Sequence, residues 1–147
     1  HHLAHVMRVQ IGETVELVNG NGVLATASMV SLGKKVAELN IEKVHQEKKS
    51  LPQVLLAVPL LRPSKLEWIL EKGTELGVDT FYLYPSNRGE KKGLSSSQLD
   101  RLNAILIAAM KQSGRLFLPH LEILSHFSRL FQKGANIFYG DLRKQAK

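Results

Sequence analysis

The apolar pattern of this chain changes period near residue 50, and that change limits it to a small β unit joined to an α/β unit. Before that point apolar residues alternate with polar ones, as they must in half-buried strands whose side chains point to opposite faces in turn. Thr14-Val15-Glu16-Leu17-Val18 reads this way, and Asn19-Gly20-Asn21-Gly22 supplies residues that tolerate positive φ in a tight hairpin before Val23 to Val30 returns. Gly33-Lys34 turns the chain again into Val36 to Glu42, where Leu39 and Ile41 face one way and Glu38, Asn40 and Glu42 the other. A meander of short antiparallel strands belongs in a small barrel or sandwich, which removes most of its edges by closing.

Gln46 to Ser50 is polar and without period, so we divide the chain into residues 1–50 and 51–147. Gln53 to Leu61 then reads as a buried strand. Ser64-Lys65-Leu66-Glu67 has the spacing of a capping box, with Leu66, Ile69, Leu70, Gly73 and Leu76 following at helical intervals and Gly77 as the stop. Asp79 to Pro85 is the next strand, and Ser86 to Ser97 a polar loop. A second helix from about Gln98 to Gln112 carries Leu99, Leu102, Leu106, Ala109 and Met110 on one stripe and ends at Ser113-Gly114. A strand over Leu118 to Leu124, a short helix over Ser125 to Lys133 and a fourth strand over Ala135 to Leu142 complete a βαβαβαβ order. That order predicts a largely parallel sheet with helices on both faces.

Composition narrows the function classes. With 44% hydrophobic and 22% charged residues the chain can bury a core. No cysteine is present, which removes thiolate catalysis, disulfides and cysteine-based zinc sites. The longest apolar run, Val54 to Leu61, is interrupted by Pro59 and is far short of a membrane span. The histidines at 1 and 5 lack the glutamate of a His-Glu-x-x-His site, so no metal is expected. Glycine-rich phosphate loops and a nucleophile elbow are also missing. The net charge of +7 is uneven: residues 1–50 hold 6 Lys/Arg against 5 Asp/Glu, and residues 51–147 hold 14 against 8. Positive charge concentrated in the α/β unit favours a phosphate-bearing partner, through release of condensed counterions.

Four blocks stand in a fixed order: His2-Leu3-Ala4-His5-Val6-Met7-Arg8 with Gly12 and the Asn19-Gly20-Asn21-Gly22 turn; Arg62-Pro63-Ser64-Lys65-Leu66-Glu67; Lys72-Gly73-Thr74-Glu75-Leu76-Gly77-Val78; and Gln112-Ser113-Gly114-Arg115 with Pro119 beyond. In wording and spacing they resemble the RsmE-type small-subunit rRNA uridine-N3 methyltransferases of the SPOUT superfamily. The resemblance implies a PUA-like β-barrel, N-terminally incomplete, over residues 1–50, a SPOUT α/β domain, C-terminally incomplete and lacking the trefoil-knot region that the family has, over residues 51–147, a homodimer in the cytoplasm, S-adenosylmethionine as cofactor, and methylation of a uridine in 16S rRNA or the small ribosomal subunit. The family's Gly-Pro-Glu-Gly-Gly cofactor signature does not occur in this sequence. We therefore expect the residues to be part of a longer protein, with the cofactor-binding knot outside them and no activity of their own.

The resemblance also selects residues. In the loop Ser86 to Lys92, Arg88 matches the family's Thr-Glu-Arg-Ser block while Asn87 stands in place of the glutamate; Gln112, Ser113 and Arg115 match a Gln-Ser-x-Arg block. N3 of uracil is a poor nucleophile until it loses its proton, so a cation that favours the imide anion is needed. Arg88 and Arg115 are the candidates for that charge stabilisation. Arg8, Lys91, Lys92, Gln112 and Ser113 join them as candidate RNA contacts. From the residues alone, Gln112 and Ser113 cap a helix and Arg115 faces the negative end of its dipole. Lys72 and Glu75 read as a surface ion pair and Gly73 as a place of close packing. The rival reading is a non-catalytic RNA-binding protein with a degenerate α/β domain.

Overall fold

A computed structural model of the chain describes residues 9–33, 36–49, 51, 53–86, 89, 92–134 and 136–139. They form two three-stranded sheets. The first is antiparallel in the order β1 (Thr14–Val18), β2 (Val23–Leu32), β3 (Ala37–Gln46). Val15, Ala27 and Met29 point to its buried face, where Leu17 and Leu39 pack against them. The pairing of β2 with β3 slips between Thr26 and Ala27 and again between Met29 and Ser31, so the expected alternation holds only in part. Leu39 reaches the core, but Ile41 and Val44 remain largely exposed on this outer strand.

The second sheet is parallel, with β5 (Thr80–Tyr84) between β4 (Leu55–Pro59) and β6 (His120–Ile123). β4 leads to β5 through α1 (Pro63–Leu76), and β5 to β6 through α2 (Ser96–Gln112). Because the strand order advances in one direction, two right-handed crossovers must lie on the same face. Leu66 and Leu70 of α1 and Leu102 and Leu106 of α2 accordingly share one core with Phe81 and Leu83. The other face carries Tyr82 with Leu124 and Leu130, the latter from a 3₁₀ helix, Phe127–Lys133. Helices on both faces were expected; both α-helices lie on one, and the short helix expected at Ser125 to Lys133 is this 3₁₀ turn. Residues 136–139 form no strand, and the rest of the expected fourth strand lies outside the described residues.

Helix starts depart from expectation for a simple reason. Pro63 occupies the first turn of α1 with Arg62 as the N-cap, which sets the start one residue before Ser64 and leaves no side-chain cap. Glu67, freed from a capping box, takes both Nε and Nη2 of Arg101 at 2.6 and 2.9 Å and ties α1 to α2. That guanidinium holds the Glu67 carboxyl below its ordinary range. The capping box belongs instead to α2, where Ser95 Oγ accepts from the Gln98 N–H and Gln98 accepts from the Ser95 N–H. In α1, Leu76 is exposed and off the buried stripe, while Gly73 lies on it because a β-carbon there would stand 2.7 Å from the Phe81 ring.

The two sheets are joined by main-chain hydrogen bonds. Gly22 N–H donates to the Leu116 carbonyl at 2.9 Å and Leu118 N–H donates to the Gly20 carbonyl at 2.8 Å, while within the first unit Glu47 N–H donates to the Gly22 carbonyl at 2.8 Å. The hairpin turn of the first unit thus docks on the segment that leads into β6. Gly22 has φ +87°, and a β-carbon on it would meet both the Glu47 carbonyl oxygen and the Phe117 ring at 2.6 Å. Gly12 has nearly the same φ, +89°, with nothing near it. Gly22→Val should therefore cost about 2–3 kcal/mol, from strain and collision together, and Gly12→Ala only about 1 kcal/mol from strain. Urea titrations of the two variants check this; equal losses would mean that the joint does not need the space.

Candidate functional site

Parallel α/β sheets place ligands beyond the C-terminal ends of their strands, where loops diverge and no side chains fill the gap. Three segments reach that edge here: Leu60 to Arg62 after β4, Pro85 to Lys92 after β5, and Leu124 to Arg129 after β6. The loop after β5 bends at once, with the Gly89 N–H donating to the Ser86 carbonyl at 3.1 Å. Arg88 and Lys91, like Arg8, lie outside the described residues; Lys92 is exposed. Below the loop, Tyr84 packs on Phe127 at 5.1 Å between ring centroids, and partial burial pushes its phenol pKa up. Beside it a cavity of about 460 Å³ is lined by Glu122, Ile123, Leu124, Ser125, Arg129, Gln132 and Lys133. Lys133 is held there by Glu122 at 2.8 and 3.0 Å and lies 4.9 Å from the centre of the Tyr82 ring. The Glu122 carboxylate raises the Lys133 pKa.

The Gln112-Ser113-Gly114-Arg115 block lies at the opposite edge, where β6 begins. Ser113 caps its own helix, its Oγ donating to the Ala109 carbonyl at 2.7 Å. Gln112 is exposed beside it. The Arg115 main-chain N–H closes the end of α2 by donating to the Met110 carbonyl at 3.0 Å, while its side chain reaches α1. Its Nε and Nη2 donate to the Glu75 carbonyl in the last turn of α1, at 3.2 and 3.1 Å. The guanidinium rests on Gly77, where a β-carbon would come within 2.6 Å of Nη2. The Lys72-to-Val78 block and the Gln112-to-Arg115 block are therefore two halves of one contact: Arg115 satisfies an orphan carbonyl of α1, and Gly77 makes room for it. Lys72 meets Glu75 at 2.8 Å and Glu71 at 2.9 Å, the expected surface pair.

The structure thus brings Gln112, Ser113 and Arg115 together at the edge where β6 begins, opposite the edge where β5 ends. Five residues of β5 separate the two edges, about 17 Å at 3.3 Å per residue. Sequence reasoning passed over the His45 to Lys49 segment, whose charged residues line a second cavity at Arg115's edge. Its aperiodic polarity marked it only as a boundary.

The arrangement, a β unit hydrogen-bonded to a three-layered parallel α/β unit, defines a mixed two-unit architecture. The chain belongs to the RNA methyltransferase family: the profile described as RNA methyltransferase domain matches residues 47–145, and the one described as RNA methyltransferase PUA domain matches residues 1–42. It is 31% identical over 139 residues to the ribosomal RNA small subunit methyltransferase E of Bacillus subtilis, covering 90% of this chain and 54% of that protein. Its fold superposes on the ribosomal RNA small subunit methyltransferase E of Neisseria gonorrhoeae, a structure bound to S-adenosylmethionine, with a TM-score of 0.77 and 26% identity over 91% of this chain and 56% of the other. A predicted RNA methyltransferase from Thermotoga maritima matches with a TM-score of 0.72 and 31% identity, over 84% and 57%. The chain spans about half the length of the curated relatives it matches.

Proposed function

We propose that this chain is the RNA-gripping part, and a share of the catalytic domain, of an S-adenosylmethionine-dependent methyltransferase that acts on N3 of a uridine in 16S rRNA. The observation that carries the proposal is the RNA methyltransferase domain match over residues 47–145, joined to a fold shared with an S-adenosylmethionine-bound relative. The division into residues 1–50 and 51–147, a PUA-like barrel, a trefoil knot, a homodimer and a cytoplasmic location belong to the same proposal. Among the described residues no helix is long and apolar enough to cross a membrane, and no cluster of side chains could hold a metal ion.

The cavity beside the end of β6 has mixed walls, the Lys133–Glu122 pair, Arg129 and Gln132 on one side and Ile123 and Leu124 on the other. What this chain contributes is charge: Arg88, which follows β5 in sequence, favours the imide anion of the target base, with Lys91 and Lys92 on adjoining phosphates. Arg8, Gln112, Ser113 and Arg115 contact RNA away from the reacting atom.

The complete gene product, incubated with small-subunit rRNA and methyl-labelled S-adenosylmethionine, should yield N3-methyluridine on digestion of the RNA. Binding of the RNA with no transfer to any nucleoside would favour the non-catalytic RNA-binding protein, and neither binding nor transfer would remove both readings.

A further inference from the structure

Beside the joint between the two sheets is a cavity of about 500 Å³. Its walls come from the end of β3 and from the residues that precede each parallel strand: Val54 before β4, Gly77 to Asp79 before β5, and Gly114 to Pro119 before β6. It is therefore at the N-terminal edge of the sheet, opposite the edge where β4, β5 and β6 end.

Its chemistry is that of a phosphate groove. Lys48, Lys49 and Arg115 line it together with His45, against Glu47 and Asp79. Both carboxylates have partners: Asp79 takes the Val54 N–H at 2.9 Å and Lys49 at 3.2 Å, and Glu47 faces His45 at 3.6 Å. Lys48 has no acidic partner among the described residues. Arg115 spends two of its five N–H donors on the Glu75 carbonyl, which fixes the guanidinium while three donors remain. Phe117, half-buried at the joint, places an aromatic ring among these cations. Fixed cations interleaved with an aromatic surface form the pattern that holds a nucleic-acid backbone with its bases stacked alongside.

We propose that this interdomain cleft binds the backbone of the rRNA segment flanking the target uridine, with Lys48 and Arg115 on phosphates. The proposal rests on the rRNA methyltransferase reading. Because the main-chain joint fixes the cleft relative to the sheet, flanking RNA held here sets which nucleotide arrives at the far edge. The cleft thus governs affinity and not the chemical step.

The test uses the complete gene product and naked small-subunit rRNA transcribed in vitro, and compares Lys48→Ala with Lys43→Ala, an exposed lysine on β3 outside the cleft. Lys48→Ala should weaken rRNA binding about two- to fivefold and flatten the plot of log affinity against log salt by about 0.7, the share of one single-strand phosphate. KM should rise while kcat stays unchanged, and Lys43→Ala should alter none of these. If the parent protein binds and methylates rRNA but the two variants have the same affinity and slope, the cleft assignment fails and the methyltransferase reading stands. If Lys48→Ala keeps its affinity for naked rRNA but loses affinity for assembled subunits, the occupant is a protein and the proposal is overturned. A parent protein that neither binds nor methylates rRNA removes the reading and the cleft with it.

Discussion

Phe81→Ala should lower the stability of the α/β unit by about 3–5 kcal/mol, a large share of the roughly 5–15 kcal/mol that holds a domain of this size. The ring is fully buried in the central strand and packs with Leu66, Leu70, Leu83, Leu102 and Leu106. It also occupies the space that Gly73 leaves on α1, so close that a β-carbon there would lie 2.7 Å from two of its atoms. Removing the ring leaves a cavity that the helix cannot fill, because Gly73 has no side chain to advance and α1 is held at both ends, by Arg101 on Glu67 and by Arg115 on the Glu75 carbonyl. Sites that cannot collapse give the upper part of the range for large-to-small changes. Phe81→Leu, which keeps much of the volume, should cost less than half as much. Urea midpoints at constant slope measure both; a loss under about 1 kcal/mol for Phe81→Ala would mean that the ring does not organise the core.

The strands and α-helices were legible because their signals are local. The hairpin glycines, the buried run of β5 and the stripe of Leu102, Leu106, Ala109 and Met110 depend only on period and on which residues tolerate positive φ. The joint between the sheets was not legible, since nothing local says that Gly20 and Gly22 will meet Leu116 and Leu118 about 95 residues later. Glu67 misled for a related reason: Ser-x-x-Glu permits a capping box, yet Pro63 and a distant Arg101 decided otherwise. The capping box at Ser95 and Gln98 was open to the same rule and passed unread within a polar loop. For the site, residue types were readable and their distribution was not. Arg88 follows the last residue of β5 by four positions and Arg115 precedes the first of β6 by five, which look equivalent along the chain, and only the parallel order of β4, β5 and β6 sets those two strand ends at opposite edges.

That separation gives the two arginines different expected phenotypes. In the complete protein, Arg88→Ala should lower kcat for methyl transfer by about 10²–10³, the usual loss when one donor to a developing anion is removed, with little change in unfolding midpoint. Arg115→Ala should instead lower stability by about 1–2 kcal/mol, because the Glu75 carbonyl loses a charged donor and the end of α1 is freed. It should raise KM without a comparable fall in kcat. Arg115→Lys should recover little of this, since an ammonium cannot lie flat on Gly77 while two of its donors converge on one carbonyl oxygen as Nε and Nη2 do. Single-turnover rates at saturating rRNA separate the two cases from weakened binding. If Arg115→Ala abolished transfer at saturating RNA in a fully folded protein while Arg88→Ala transferred normally, the reacting base would have to lie at the N-terminal edge of the sheet. The division of labour drawn from the strand order would then be reversed.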